Sequence, residues 1–180
     1  EIKIKDLNND LYYIFQTKYL INAAGIYSGK IAKLLEKSRK IEIQYIKGEY
    51  YNYSGKEKID HLIYPVPGKL SLGLHATLDL GNGIRFGPSA VEIKKIDYGV
   101  HEENKEDFLK SLQQYWPSIQ GSQLSPDYSG IRAKIRGAED FDLEKLDKKN
   151  KVAINIIGYI SPGLTSSLAL GEKIVDLVKN

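Results

Sequence analysis

Apolar and polar positions along this chain follow two periods, and the places where the period changes mark its elements. Ile2 and Ile4 alternate with Lys3 and Lys5, a polar stretch with Asn8, Asn9 and Asp10 follows, and 11–15 is apolar, which predicts a β-hairpin. Tyr19, Leu20 and Ile21 predict a short buried strand that runs into the small residues Asn22, Ala23, Ala24 and Gly25. Ser28 is placed to cap a helix over 29–37, with Ile31, Leu34 and Leu35 on one face. From Ile41 the period is two: Ile41, Ile43 and Tyr45 alternate with Glu42 and Gln44. Lys47, Gly48 and Glu49 interrupt that strand, and 50–53 resumes it. Short strands over 61–66, at Leu70, Leu72 and Leu74, and over 84–86 after a turn at 79–83, have no helix between them and predict an antiparallel sheet. Asn104 is placed to cap the next helix, whose apolar face is Phe108, Leu109, Leu112, Tyr115 and Trp116 and which Pro117 stops. A strand over 128–135 puts Arg132 and Lys134 on one side and Ile131, Ala133 and Ile135 on the other. The segment 139–150 is so charged that it reads as a surface excursion.

The C-terminal stretch is the one around which the rest is organised. A β-branched apolar run over 152–157 predicts a buried strand, 158–163 breaks it with Gly, Ser and Pro, and Leu170, Ile174, Leu177 and Val178 then recur at helical spacing. A helix N-terminus carries unpaired N–H groups and a partial positive charge, so this junction suits an anionic or carbonyl-bearing ligand. Ser161, Gly163, Thr165, Ser166 and Ser167 leave such a ligand room to reach the backbone. An ordinary capped helix on a sheet gives the same pattern. Strand, glycine and helix therefore recur at both ends, with an antiparallel insert between, and an insert of that kind commonly sets a ligand cleft at its junction.

Composition narrows the chemistry. With 180 residues, 42% hydrophobic and 27% charged, the chain has the make-up of one globular domain or two interleaved small ones. Its net charge of +3, from 26 basic and 23 acidic residues, is too small and too scattered to point to nucleic acid or an anionic membrane. The 13 Tyr are expected at half-buried strand positions. Absence of Cys excludes disulfides and thiolate chemistry, and His61, His75 and His101 stand in no zinc-binding spacing, so no metal is expected. No apolar run is long enough for a spanning helix. No signal peptide is recognisable. A chain that starts at Glu1 and holds no Met is expected to be a fragment, a processed chain or a trimmed product.

Four segments carry a resemblance to a known family. YLINAAGIYS at 19–28 resembles the strand ending in Asn-Ala-Ala-Gly of the D-amino-acid oxidase superfamily of FAD-dependent oxidoreductases. IYPVP at 63–67, LGLHATLD at 72–79 and GIRFGP at 83–88 are similar to its substrate-domain strands. SGIRAK at 129–134 resembles its Gly-x-Arg strand, and ISPGLTSSL at 160–168 its C-terminal flavin-contacting loop and helix. Within the superfamily, IYPVP and LGLHATLD point to the L-2-hydroxyglutarate dehydrogenase/oxidase group.

The resemblance implies an α/β fold of the α+β kind, a partial FAD-binding α/β domain with an inserted antiparallel-sheet substrate domain. Residues 1–38 and 125–180 would belong to the FAD-binding domain and 39–124 to the substrate domain. The implied reaction is oxidation of a 2-hydroxy acid to a 2-oxo acid with hydride passing to flavin, or, in the alternative, oxidation of an amino acid or glycerol 3-phosphate, or no catalysis at all in a remnant. The resemblance places Asn22, Ala24 and Gly25 on the cofactor side, and with them Ser161, Gly163, Leu164, Thr165 and Ser166. It makes Arg132 the cation for the substrate carboxylate, His75 the base or a substrate-binding residue, Tyr64 a hydrogen-bonding partner of substrate and Arg85 a second cation. Each also has a plain structural reading: Arg132 as a solvated strand residue paired with an acid, His75 and Tyr64 as packed strand residues, Arg85 as an exposed hairpin charge, and Asn22 to Gly25 as a tight turn. The family's Gly-x-Gly-x-x-Gly turn, which holds the FAD pyrophosphate, has no counterpart here. A companion N-terminal segment is therefore an expected partner, and this chain alone is expected not to bind FAD tightly. The expected location is cytoplasmic, either free or at the periphery of the inner membrane.

Overall fold

The computed structural model describes residues 1–66, 73–148 and 150–179. They form two compact units, Glu1–Ile43 with Ala133–Asn180, and Gln44–Arg132.

In the first unit, β1 (Ile2–Lys5) and β2 (Tyr12–Phe15) pair as the expected antiparallel hairpin, Ile2 opposite Phe15. β3 (Tyr19–Asn22) lies parallel to β10 (Lys151–Ile157), and β10 lies antiparallel to β9 (Asp142–Lys148). β10 is the central strand, and its Ile154 and Ile157 are fully buried, as its β-branched run requires. The helix α3 (Gly163–Lys179) follows it, and Ile174 packs on Ile154 and Ile156 with Leu170, Leu177 and Val178 around them.

Two expectations fail in this unit. The charged segment around 139–150 is no loose excursion: Asp142–Lys148 forms β9, because it pairs along its whole length with β10, which supplies the backbone partners and an apolar neighbour for Leu143. The first helix, α1, is Ser28–Leu35, and Ser28 lies inside it, buried, making no side-chain cap. The buried face of α1 is Ser28, Gly29 and Ala32, not the larger residues, and Leu34 is exposed. Small residues win that face because α1 packs close to β10, and a Cβ on Gly29 would come within 2.8 Å of Ile43.

The second unit is a five-stranded antiparallel sheet with one helix. Its strands β5 (His75–Leu78), β6 (Ile84–Gly87), β4 (Ile43–Tyr53) and β7 (Val91–Ile93) are neighbours in that order, and β8 (Leu124–Ile135) also pairs with β4. Helix α2 (Lys105–Gln113) covers one face, where Tyr51, Ala76, Ile84, Phe86, Phe108, Leu112 and Leu124 form the core.

Here β4 runs unbroken through Lys47, Gly48 and Glu49, contrary to the expected interruption. Lys47 and Glu49 point to the core side at 3% and 2% exposure, and the strand tolerates them because they pair with each other at 3.1 Å. Lys47 reaches Asp97 at 3.2 Å as well, and Asn104 donates to Glu49 at 3.0 Å. Asn104 thus spends its side chain on Glu49 and makes no cap, a second correction. Helix α2 ends before Pro117, with the amides of Tyr115 and Trp116 turning back to the Leu112 carbonyl. The expected strand over 61–66 is reduced to one bridge between Ile63 and Ala76. The expected strand residues Leu70 and Leu72 lie outside the described residues. Strand β8 starts at Leu124, four residues earlier than its alternation announces, and β7 has no sequence signal of its own.

Candidate active site

On the first unit the candidate cofactor residues fall at one end of the sheet. Asn22 and Asn155 are paired in register, and β3 ends at Asn22 while the parallel β10 runs on to Ile157, so the turn at 23–25 and the loop at 158–162 leave from the same end of the sheet. Asn22 is buried and donates at 2.9 Å to both the Ser28 carbonyl and Asn155 Oδ1. Asn155 in turn donates to Glu144 at 3.0 Å, and Glu144 and Asp142 both pair with Arg39. Asn22 is therefore the tie that holds this turn, its side chain directed into the sheet. Ala24 and Gly25 are exposed beyond it, and Gly25 adopts φ +54 with open space where a Cβ would stand. That conformation is the reason for glycine at this position.

The loop after β10 lines a shallow hollow of about 580 Å³ with Tyr159, Ile160, Ser161, Gly163, Leu164 and Thr165. The Gly163 amide donates to Ile160 O at 2.6 Å and the Ser166 amide to Pro162 O at 3.1 Å. The Ser166 hydroxyl lies 2.6 Å from that of Tyr159. Ser166 is thus committed within the loop, whereas the amides of Leu164 and Thr165 have no backbone acceptor among the described residues. Both residues are exposed, at the positive end of the 17-residue α3.

On the second unit the sheet face away from α2 carries the other candidates. Ala76, Phe86 and Tyr51 mark the core side, so the alternation of strands turns His75, Arg85, Gly87, Tyr50 and Asn52 to the opposite side. His75 pairs with Gly87, is 8% exposed, and has the ring of Tyr64 against it at 4.0 Å between centroids. The structure thus brings His75 and Tyr64 together. Arg85 is taken up by acids: its Nε lies 2.8 Å from Asp127 and its Nη2 3.6 Å from Asp79. Arg132, half-buried on β8, differs. Its guanidinium reaches the Ser89 carbonyl at 3.4 Å, and it has no carboxylate partner among the described residues.

Two residues of this face went unselected in the sequence. Tyr50 and Tyr128 stack in parallel, 4.5 Å apart and tilted by 12°. Tyr50 also lies close to Gly87, where an added Cβ would come within 2.5 Å of its ring. Burial first, then the Tyr128 phenol, hold the Tyr50 hydroxyl above its usual range, and Arg132 acts in the opposite direction. The only sequence signal was the Tyr pair at 50 and 51, of which one had to face away from the core.

A family model described as FAD dependent oxidoreductase, DAO, matches residues 4–177. The chain belongs to the DAO family of FAD-dependent oxidoreductases. Among its DAO relatives, the mitochondrial L-2-hydroxyglutarate dehydrogenase of Arabidopsis thaliana is 32% identical over 177 residues, an overlap of 87% of this chain and 37% of the relative. A glycerol 3-phosphate dehydrogenase of Caloramator mitchellensis is 28% identical, with 96% of this chain and 35% of the relative covered. The chain thus spans little more than a third of either relative's length. In fold it is similar to the glycerol-3-phosphate dehydrogenase from Bacillus halodurans complexed with FAD, with a TM-score of 0.74 at 18% identity over 98% of this chain and 34% of that one. The dithionite-reduced L-alpha-glycerophosphate oxidase from Mycoplasma pneumoniae with FAD bound gives 0.73 at 21% identity, over 89% of this chain and 42% of that one. The DAO assignment supplies the cofactor class, and the chemistry of the residues fits one side of a flavin. Free amides stand at a helix N-terminus, and small residues line both turns at the end of a parallel strand pair. No helix among the described residues is long and apolar enough to cross a membrane.

Proposed function

We propose that this chain forms the substrate-side sheet and the C-terminal cofactor-side part of an FAD-dependent oxidoreductase that converts a 2-hydroxy acid, of the L-2-hydroxyglutarate kind, to its 2-oxo acid. The observation that carries the reading is Arg132, a half-buried guanidinium with no carboxylate partner among the described residues, on a unit whose open sheet face also bears His75 and Tyr64. A guanidinium left without an acid is suited to a substrate carboxylate, which it takes through two parallel hydrogen bonds. His75 takes the proton of the substrate hydroxyl, and Tyr64, its ring tilted against the imidazole, hydrogen-bonds substrate. On the cofactor side, the Leu164 and Thr165 amides hold the carbonyl edge of the flavin, and Ala24 and Gly25 give it close approach to the backbone. When bound, the flavin accepts the hydride. The dinucleotide-binding turn is supplied by a segment other than residues 1–180. A cytoplasmic location at the membrane periphery belongs to the same proposal.

The relatives that act on glycerol 3-phosphate support a second reading, in which Arg132 takes a phosphate. An anaerobic substrate panel with the full-length, flavin-loaded protein separates the two. Bleaching of the flavin by L-2-hydroxyglutarate and not by glycerol 3-phosphate supports the first reading, and the reverse selectivity replaces it with the second.

A further inference from the structure

Tyr19 and Ile21 of β3 are 51% and 48% exposed, although they lie on the face of the sheet that α3 packs against. They stand in register with Val152 and Ile154 of β10, which α3 covers. They stay bare because α3 sits over Ile154 and Ile156 of β10 and Leu143 of β9 and leaves the third strand uncovered. The helix itself carries a second apolar stripe. Leu168, Gly171 and Val175 follow at i, i+3 and i+7, Leu168 is 85% exposed, and a Cβ on Gly171 would meet nothing within 4 Å. Ser166 marks the opposite flank of the helix: its hydroxyl meets that of Tyr159, and the Tyr159 ring packs on Phe141, the residue before β9. The stripe is thereby turned toward β3, and with Tyr19 and Ile21 it forms an apolar lane with a floor and one wall.

The dimensions of the lane decide what fits it. Neighbouring strands lie about 4.8 Å apart and packed helices about 8–10 Å apart, so a helix next to α3 stands about two strands over. From a helix seated on β10 and β9, that place is above β3 and a strand beyond it. Among the described residues no strand pairs with the outer edge of β3. A helix alone leaves that edge unpaired, and a strand alone leaves Tyr19, Ile21 and Leu168 bare. A strand followed by a helix satisfies both, and Gly171 lets the incoming helix come close to α3.

We propose that this lane is the docking surface for a strand–turn–helix segment from outside residues 1–180, its strand parallel to β3 on the free edge and its helix against Leu168, Gly171 and Val175. The segment is the one that supplies the dinucleotide-binding turn, so the proposal rests on the flavin reading of the chain. A strand parallel to β3 ends where β3 ends, which brings its turn to the end of the sheet where the turns at 23–25 and 158–162 leave. The relatives have the length to hold such a segment, since this chain spans 37% of the one from Arabidopsis thaliana.

The test uses the full-length, flavin-loaded protein. Hydroxyl-radical oxidation, read residue by residue by mass spectrometry, is expected to leave Tyr19, Ile21 and Leu168 protected like the buried Ile154. That measurement needs no variant. Gly171→Leu then reports by the sign of its effect. On a bare helix face it replaces glycine by a strong helix former and raises the thermal midpoint. Against a closely packed helix it clashes, and the expected result is a lowered midpoint with an FAD dissociation constant raised about tenfold or more.

A raised or unchanged midpoint in Gly171→Leu, or Tyr19 and Leu168 oxidised as fast as in the denatured protein, overturns the assignment. Protection that is lost on dilution as a dimer dissociates gives the lane to a second copy and overturns it as well. If the protein holds flavin while the lane is accessible, the docking surface alone is wrong and the flavin reading stands. If the full-length protein holds no flavin, the flavin reading fails and the identity of the docking segment falls with it.

Discussion

Asn22 and Asn155 meet side chain to side chain in the buried interior of the three-stranded sheet, Nδ2 to Oδ1 at 2.9 Å, at paired positions of two parallel strands. The contact has two consequences. It locks the turn that follows β3, because Asn22 also donates to the Ser28 carbonyl of α1. It also continues through Asn155 to Glu144 and Arg39, so that one polar chain crosses all three strands.

Asn155→Ala therefore removes the acceptor for one buried Asn22 donor and the donor for Glu144. A loss of about 1–3 kcal/mol in unfolding free energy is expected, the usual cost of an unsatisfied buried group. Denaturant unfolding followed by far-ultraviolet circular dichroism measures it. A change near zero would mean that water replaces the lost partner.

Gly25→Ala separates conformation from contact. Position 25 has φ +54 and open space around the missing Cβ, so alanine meets no clash and incurs only the cost of the left-handed backbone, about 1 kcal/mol. On the proposed reading, which sets this turn against the cofactor, the same substitution is expected to weaken FAD binding in the full-length protein. Isothermal titration with FAD and a melting curve on one sample distinguish the two effects.

The pair Lys47 and Glu49 is buried on both sides. Lys47→Met leaves Glu49 without its cation in the core and is expected to destabilise by about 3–5 kcal/mol. The double variant Lys47→Met with Glu49→Leu is expected to be more stable than the single one, since no uncompensated charge remains. A chemical denaturation series of the three proteins tests the order.

Asp97 is expected to contribute to the acid limb of stability. Hydrogen bonds from His101, from the Gly99 amide and from Lys47 hold its carboxyl well below the usual carboxylate range. A carboxylate whose pKa falls on folding stabilises the native state fully above its unfolded pKa of about 4 and loses that contribution as pH drops toward the folded value. Stability is thus expected to fall below about pH 4, and Asp97→Asn to flatten that fall. Melting temperatures taken at several acidic pH values for both proteins provide the comparison.

The elements with strong periodicity were legible before the structure, and the reason is local. β10 and α3 carry their apolar residues at the spacing their partners need, and the loop between them breaks where Gly and Pro stand. β9 was not legible, because DLEKLDK has the composition of a solvated loop and is a strand only through the backbone of β10. The unbroken β4 was hidden for a related reason: Lys47 and Glu49 are acceptable inside a sheet only when each has the other, and a linear pattern does not show such pairing. Among the candidate residues, His75 and Arg132 stand out in the sequence because His and Arg are scarce in this chain. Tyr50 and Tyr128 do not stand out, because Tyr is abundant in this chain and only their stacked geometry singles them out.

The account turns on Arg132 meeting the carboxylate of a hydroxy acid. The direct measurement is anaerobic flavin reduction by L-2-hydroxyglutarate, titrated in the full-length protein and in Arg132→Lys. Loss of the bidentate contact is expected to raise the apparent substrate dissociation constant at least about tenfold while the FAD content is unchanged. Equal dissociation constants in the two proteins, or a wild-type flavin that L-2-hydroxyglutarate leaves oxidised, would contradict it.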